Sequence, residues 1–94
     1  TVSNTNVTGT YAIDYNIDIH RLTLTGNTTF TESNLPATNK GKTITLHING
    51  NFGVVFPASF TTFLTGSYKG TATLNTIVIE CFNGFRKVQI SQPN

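Results

Sequence analysis

The clearest alternation of apolar and polar positions in the chain is Thr43-Ile44-Thr45-Leu46-His47-Ile48-Asn49. Ile44, Leu46 and Ile48 fall on one side of an extended backbone and Thr43, Thr45, His47 and Asn49 on the other, the period of a half-buried strand. Asn49-Gly50-Asn51 follows, and Asn and Gly tolerate the positive φ of a tight turn. A partner strand at Gly53 to Phe56 then meets Pro57, which ends ladder pairing. Thr43–Phe56 is therefore expected to be a hairpin.

The same reading extends along the chain. Thr10 to Ile19 alternates Tyr11, Ile13, Tyr15, Ile17 and Ile19 against Ala12, Asp14, Asn16 and Asp18. His20 to Thr25 puts Leu22 and Leu24 on one face with His20, so the inward phase changes between Ile19 and Leu22, and a bulge or corner near His20–Arg21 would account for it. Gly26-Asn27 closes that run, and Thr28–Thr31 continues with Phe30 inward. Ser33 to Gly41 is a loop by composition. Thr76 to Phe82 carries apolar residues on both faces, as expected of a strand that is central or packed against another chain. Asn83-Gly84 is the strongest two-residue hairpin signal, and Phe85–Ser91 returns with Val88 and Ile90 inward before Gln92-Pro93-Asn94 stops the strand. Between these, Ala58 to Leu74 is irregular, with Phe60, Phe63 and Leu64 as anchors and Gly66-Ser67-Tyr68-Lys69-Gly70 as an exposed tip. No fixed-period repeat is visible. Good helix formers are scarce and no stretch keeps helical spacing over three turns. The expected fold is all-β: one small antiparallel β-sandwich, jelly-roll-like or a flattened barrel, of seven to eight short strands.

Composition narrows what such a domain can do. Ninety-four residues make one domain. Only 11% of them are charged, against about 25% in an ordinary soluble domain. Thr at 18 positions and Asn at 11 supply the polarity instead. A net charge of +2, spread over separate loops without an aromatic ladder, does not make a nucleic-acid surface. No apolar run exceeds three residues, so no membrane insertion by a helix is expected. The chain has no Met and starts at Thr1 without a basic-then-apolar leader, which fits a piece of a longer protein or a processed product. A core of this size leaves a modestly stable unit, and the single Cys81 cannot close an internal disulfide.

Candidate chemistry is sparse. Asp14-Tyr15-Asn16-Ile17-Asp18 has the oxygen spacing that opens a calcium loop, but Ile19 stands where Gly is needed and Thr25 where a bidentate Glu belongs. It reads better as a solvated strand face. His20 and His47 lack companions at metal-ligand spacing; each is expected to be a hydrogen-bonded or surface imidazole, and no metal is expected. Cys81, in phase with Ile77 and Ile79, is a small buried hydrophobe. Glu32 and Glu80 have no local acid partner for glycosidase chemistry, and no nucleophile elbow occurs. No enzyme activity and no cofactor are expected. Asn6-Val7-Thr8 and Asn27-Thr28-Thr29 match the glycosylation sequon, which Asn- and Thr-rich chains generate by chance. What remains is binding by a neutral polar surface, whose amides, hydroxyls and tyrosine rings suit glycan hydroxyls and C–H faces. The candidate residues are Tyr68 as a stacking platform and Lys69 and Asn51 as polar contacts, with Asn49 beside Asn51.

A set of motifs adds a resemblance. Leu22-Thr23-Leu24-Thr25-Gly26-Asn27-Thr28-Thr29-Phe30, Ser33-Asn34-Leu35-Pro36-Ala37, Gly41-Lys42-Thr43-Ile44-Thr45-Leu46, Val55-Phe56-Pro57-Ala58-Ser59 and Leu74-Asn75-Thr76-Ile77-Val78-Ile79-Glu80-Cys81-Phe82-Asn83-Gly84 run in an order that resembles small β-domains of bacteriophage tail-fibre and receptor-binding proteins. The likeness covers roughly Gly9 to Pro93. Many members of that group carry Trp before the proline held here by Pro57 and a Trp-Pro-Gly-Gly segment after it; this chain has Phe56 and Phe60-Thr61-Thr62-Phe63, as in a divergent branch. The resemblance implies a terminal virion module, three-fold symmetric, that contacts other virion proteins and a host-surface or mucus glycan. The rivals are a carbohydrate-binding module of a secreted bacterial enzyme and a purely structural virion assembly domain.

Overall fold

A computed structural model of the chain describes residues 2–37, 40–71, 73–82 and 84–92, with side chains from Thr5 onward. Among these residues seven strands carry the fold: β1 (Val2–Asp14), β2 (Ile19–Ser33), β3 (Lys42–Asn49), β4 (Val54–Val55), β5 (Phe63–Thr65), β6 (Asn75–Phe82) and β7 (Phe85–Ser91), with a 3-10 turn at Ala58–Thr61. They form one sheet in the order β1-β2-β3-β6-β7-β5, and β4 joins it through β2. The all-β expectation holds, and seven strands match the expected seven to eight, but β1 and β2, at 13 and 15 residues, are long rather than short.

The pairing corrects the expectation of an antiparallel arrangement. β2 pairs in parallel with β1, β3 and β4, β5 pairs in parallel with β7, and only β3·β6 and β6·β7 are antiparallel. The first half of the chain is thus laid down as three successive parallel passes. Val2 lies beside Ile19 and Gly9 beside Thr28, offsets of 17 and 19 residues; Ile19 lies beside Thr45 and Thr28 beside Val54, both offsets of 26. Unequal offsets explain why no fixed period shows in the sequence.

The hairpin expected at Thr43–Phe56 does not form. Asn49-Gly50-Asn51 is a corner instead: β3 pairs with the first part of β2 (Ile19–Thr23) and β4 with a later part (Thr28–Thr29). Both passes bend at the same level, where the Asn27 side chain accepts a hydrogen bond from Gly53 N at 3.0 Å and Thr28 N donates to Gly53 O at 3.1 Å. A turn signal marks where the backbone can bend; it does not say whether the chain folds back or continues around. The hairpin expected at Asn83-Gly84 does form, with β6 and β7 paired down to Phe82 beside Phe85. Asn83 itself lies outside the described residues, as do Thr38 and Asn39 of the expected loop and Pro93 and Asn94 of the expected stop.

The alternation correctly predicted the buried side. Leu22, Leu24 and Phe30 of β2, Ile44, Leu46 and Ile48 of β3, Ile77, Ile79 and Cys81 of β6, and Val88 and Ile90 of β7 make one core with Ile13, Tyr15 and Phe60. β6 lies between β3 and β7, the central position its two-sided pattern implied. The phase change beyond Ile19 is achieved by a turn at Tyr15–Asp18, where Ile17 N donates to Asp14 O at 3.0 Å, so the strand expected over Thr10–Ile19 ends at Asp14. Phe63 and Leu64, expected as anchors, are exposed. They belong to β5, an edge strand bonded only to β7, and no further element covers it among the described residues.

Candidate functional site

β1, β2 and β3 bring their outward residues into register. Asn6 stands beside Thr23 and Thr23 beside Asn49; one step along, Arg21 stands beside His47. Because successive residues of a strand point to opposite faces, the inward Leu22 and Leu24 dictate that Arg21 and Thr23 face out. A groove of about 420 Å³ lies over this ladder, lined by Thr5, Asn6, Arg21, Leu22, Thr23, His47, Asn49 and Leu74. Among the described residues no carboxylate lines it. The only hydrogen bond these side chains make among the described residues is a long one, 3.5 Å, between His47 Nδ1 and the Thr76 hydroxyl. Amides, hydroxyls, a guanidinium and an imidazole therefore remain open to a ligand.

The expected site residues Asn51, Tyr68 and Lys69 are not among the residues that line this groove. Asn51 sits at the corner two residues beyond Asn49. Tyr68 donates its hydroxyl proton to Phe52 O at 3.0 Å, next to Asn51. Lys69 is held through its backbone by the buried Asn75 side chain, which accepts from Lys69 N at 3.0 Å and donates to Lys69 O at 2.8 Å; Asn75 follows Leu74 of the groove. Gln92 completes the clamp, donating to Asn75 Oδ1 at 2.7 Å and to Ser67 O at 2.9 Å. The loop is exposed at Gly66, Ser67 and Lys69, as expected of a tip between glycines, but these bonds tether it and Tyr68 is partly covered. Tyr68 is half-buried, its ring set edge-on to Phe56 at 6.0 Å, because an aromatic ring beside an apolar one gains more from burial than from water. Burial also raises its phenol pKa. Lys69 and Asn51 are exposed.

The groove residues Asn6, Arg21, Thr23 and His47 escaped the sequence reading as a site. Their only signal was the polar side of otherwise ordinary strands, and the partners lie 17 and 26 residues apart.

Other titratable groups have structural employment. His20 is fully buried: its Nε2 donates to Asp14 O at 3.0 Å, so in the neutral ring Nδ1 accepts the Tyr11 hydroxyl proton at 2.5 Å. Asp14 accepts from Asn16 N and Asn34 Nδ2, both at 2.9 Å, and these bonds lower its pKa. Asp18 pairs with Lys42 at 2.7 Å, which lowers its pKa too. Among the described residues no group of three or more His, Cys, Asp and Glu could hold a metal. Burial raises the Cys81 thiol pKa, away from a reactive thiolate.

Glu32, unremarkable in the sequence, is the hub of a second network. Arg86 grips it with Nε at 2.9 Å and Nη2 at 3.1 Å, Tyr15 donates at 2.5 Å and Ser59 at 3.0 Å. Burial pushes the carboxyl pKa up, but the bonds from Arg86, Tyr15 and Ser59 outweigh it and leave the group below its ordinary value. With every acceptor direction used, Glu32 ties β2, the 3-10 turn and β7 together and offers nothing to a substrate. Comparison of the chain with protein-family models, with curated proteins and with solved structures finds no match.

Proposed function

We propose that this domain is a non-enzymatic attachment module of a phage virion that holds a host-surface or mucus glycan in the groove over β1, β2 and β3. The observation that carries this reading is the registered ladder Asn6–Thr23–Asn49 with Arg21 and His47. It is a concave polar surface whose donors and acceptors are almost wholly unspent. Sugar hydroxyls both donate and accept, so neutral amides and hydroxyls on a rigid sheet suit them, and the sheet lowers the ordering cost of binding. Exposed Asn51, two residues beyond Asn49, and exposed Lys69 are the outlying polar contacts of this reading, with half-buried Tyr68 as its aromatic one.

Such a site is weak alone, and three copies would strengthen attachment through effective concentration. A homotrimer is supported by a second surface. Phe63, Phe82 and Phe85 are 46%, 38% and 47% exposed, with ring centroids 5.7 to 6.2 Å apart. The three rings form an exposed apolar cluster of the kind that association would cover. The occupant proposed is another copy of this chain, since a core this small gains stability by sharing such a face.

The test is a glycan array with the wild-type protein and an Asn6→Ala/Asn49→Ala variant. Binding that the double variant loses supports the reading; an array without any hit removes it. Light scattering at micromolar concentration tests the trimer, and a stable monomer there overturns that part.

A further inference from the structure

We infer that the ligand of this groove is an acidic saccharide, its anionic group (a carboxylate or a sulfate ester) bound by Arg21 with His47 beside it; the inference rests on the glycan-binding reading above. The argument starts from where the charges lie. Of the six Lys and Arg residues, Lys42 pairs with Asp18 and Arg86 with Glu32. Arg21 makes no ion pair or hydrogen bond through its side chain among the described residues, yet it stands in a concave surface rather than on a loop. His47 lies directly across from it on β3. The His47 Nδ1 faces the Thr76 hydroxyl, which leaves Nε2 for the groove.

The acidic residues are all placed away from this point or already occupied. Asp14 is held by Asn34, Asp18 by Lys42 and Glu32 by Arg86. Glu80 stands opposite Thr43, four residues from His47 along β3, or about 13 Å. A cation left unpaired in a groove of neutral donors creates a positive potential with no internal counterion. An anion bound there gains charge-assisted hydrogen bonds, and the planar guanidinium fork matches two oxygens of a carboxylate or sulfate. Asn6, Thr23 and Asn49, one register step away, are placed for the hydroxyls of the same or the neighbouring sugar unit. A neutral glycan would use the amides and leave Arg21 to solvent; an acidic one uses both.

The experiment is an array holding uronate- or sialate-bearing glycans, sulfated glycans and their neutral counterparts, probed with the wild type, Arg21→Gln and, as a control on the opposite flank, Lys87→Gln. The expected result is a preference of about tenfold or more for one acidic arm over its neutral counterpart. That preference should weaken with added salt, disappear in Arg21→Gln and persist in Lys87→Gln. Which acidic arm responds separates carboxylate from sulfate. Hits of equal strength on neutral and acidic arms, or an acidic preference that survives Arg21→Gln, overturn the inference while leaving the attachment reading intact. An array with no hits overturns both. Arg21 is exposed, so an unchanged melting temperature shows that the variant is folded.

Discussion

On the β1–β2–β3 flank the outward positions are Asn6, Arg21, Thr23, His47 and Asn49; on the β5–β6–β7 flank they include Phe63, Phe82 and Phe85. The inward positions of the two flanks are alike, aliphatic residues meeting in one core. The difference therefore owes nothing to folding requirements on the inside. A solvated polar ladder costs little to keep exposed and is suited to hydrogen-bonded ligands. An exposed triangle of rings is unfavourable in water and suited to being covered. One sheet thus carries a polar ladder on one flank and an exposed cluster of rings on the other.

The largest effect should come from the shared core. Ile79→Ala, at a fully buried position of the central strand, is expected to cost about 3–4 kcal/mol by denaturant unfolding and to weaken both flanks together. Loss of binding without loss of stability in this variant would mean that the two flanks do not depend on one core.

Backbone geometry comes next and distinguishes the flanks. Gly66 has φ +83° and an added Cβ would stand 2.0 Å from Ile90 O; Gly50 has φ +117° and an added Cβ would stand 2.7 Å from Leu24 O. Both contacts are with backbone, which cannot swing aside. Gly66→Ala is expected to cost about 3 kcal/mol and Gly50→Ala about 2 kcal/mol in melting experiments. Hydrogen exchange should show the first loosening β7 and the second loosening the corner between β3 and β4.

Glu32→Gln removes the charge that joins the two flanks, at an expected cost of about 2 kcal/mol at pH 7. The sign of its pH dependence follows from a folded-state pKa below the unfolded one. The stabilisation is fully present above the unfolded pKa and is lost as pH falls through the folded pKa. The gap between wild type and variant in urea midpoints should therefore narrow in acid. A constant gap from pH 7 to pH 3 would show that the Arg86 grip contributes through packing rather than charge.

The smallest effects on stability are expected at the surface. Phe82→Ser and Phe85→Ser should change stability by less than about 1 kcal/mol while shifting light scattering toward the single chain. Asn6→Ala and Asn49→Ala should leave both stability and association unchanged and affect only ligand binding. A surface variant that altered both association and binding would erase the separation of the two faces.

The inward faces of β2, β3, β6 and β7 were legible in the sequence, because side-chain alternation is a local property of an extended backbone, whereas the first part of β1 and the exposed β5 were not. Ile44, Leu46 and Ile48, or Ile77, Ile79 and Cys81, declare themselves without any partner, and so does the burial of Cys81 that sets its thiol apart from reactive ones. Strand partners were not legible. Asn49-Gly50-Asn51 permits a fold-back or a corner with the same φ requirements, and the choice rests on β2 offering parallel edges to both β3 and β4. For the same reason Glu32 and Arg86, 54 residues apart, and Arg21 and His47 became neighbours only through the sheet. The chain by itself determined what is buried, since alternation needs only the next residue. The tertiary structure decided what meets what, since pairing is selected by packing between segments distant in sequence.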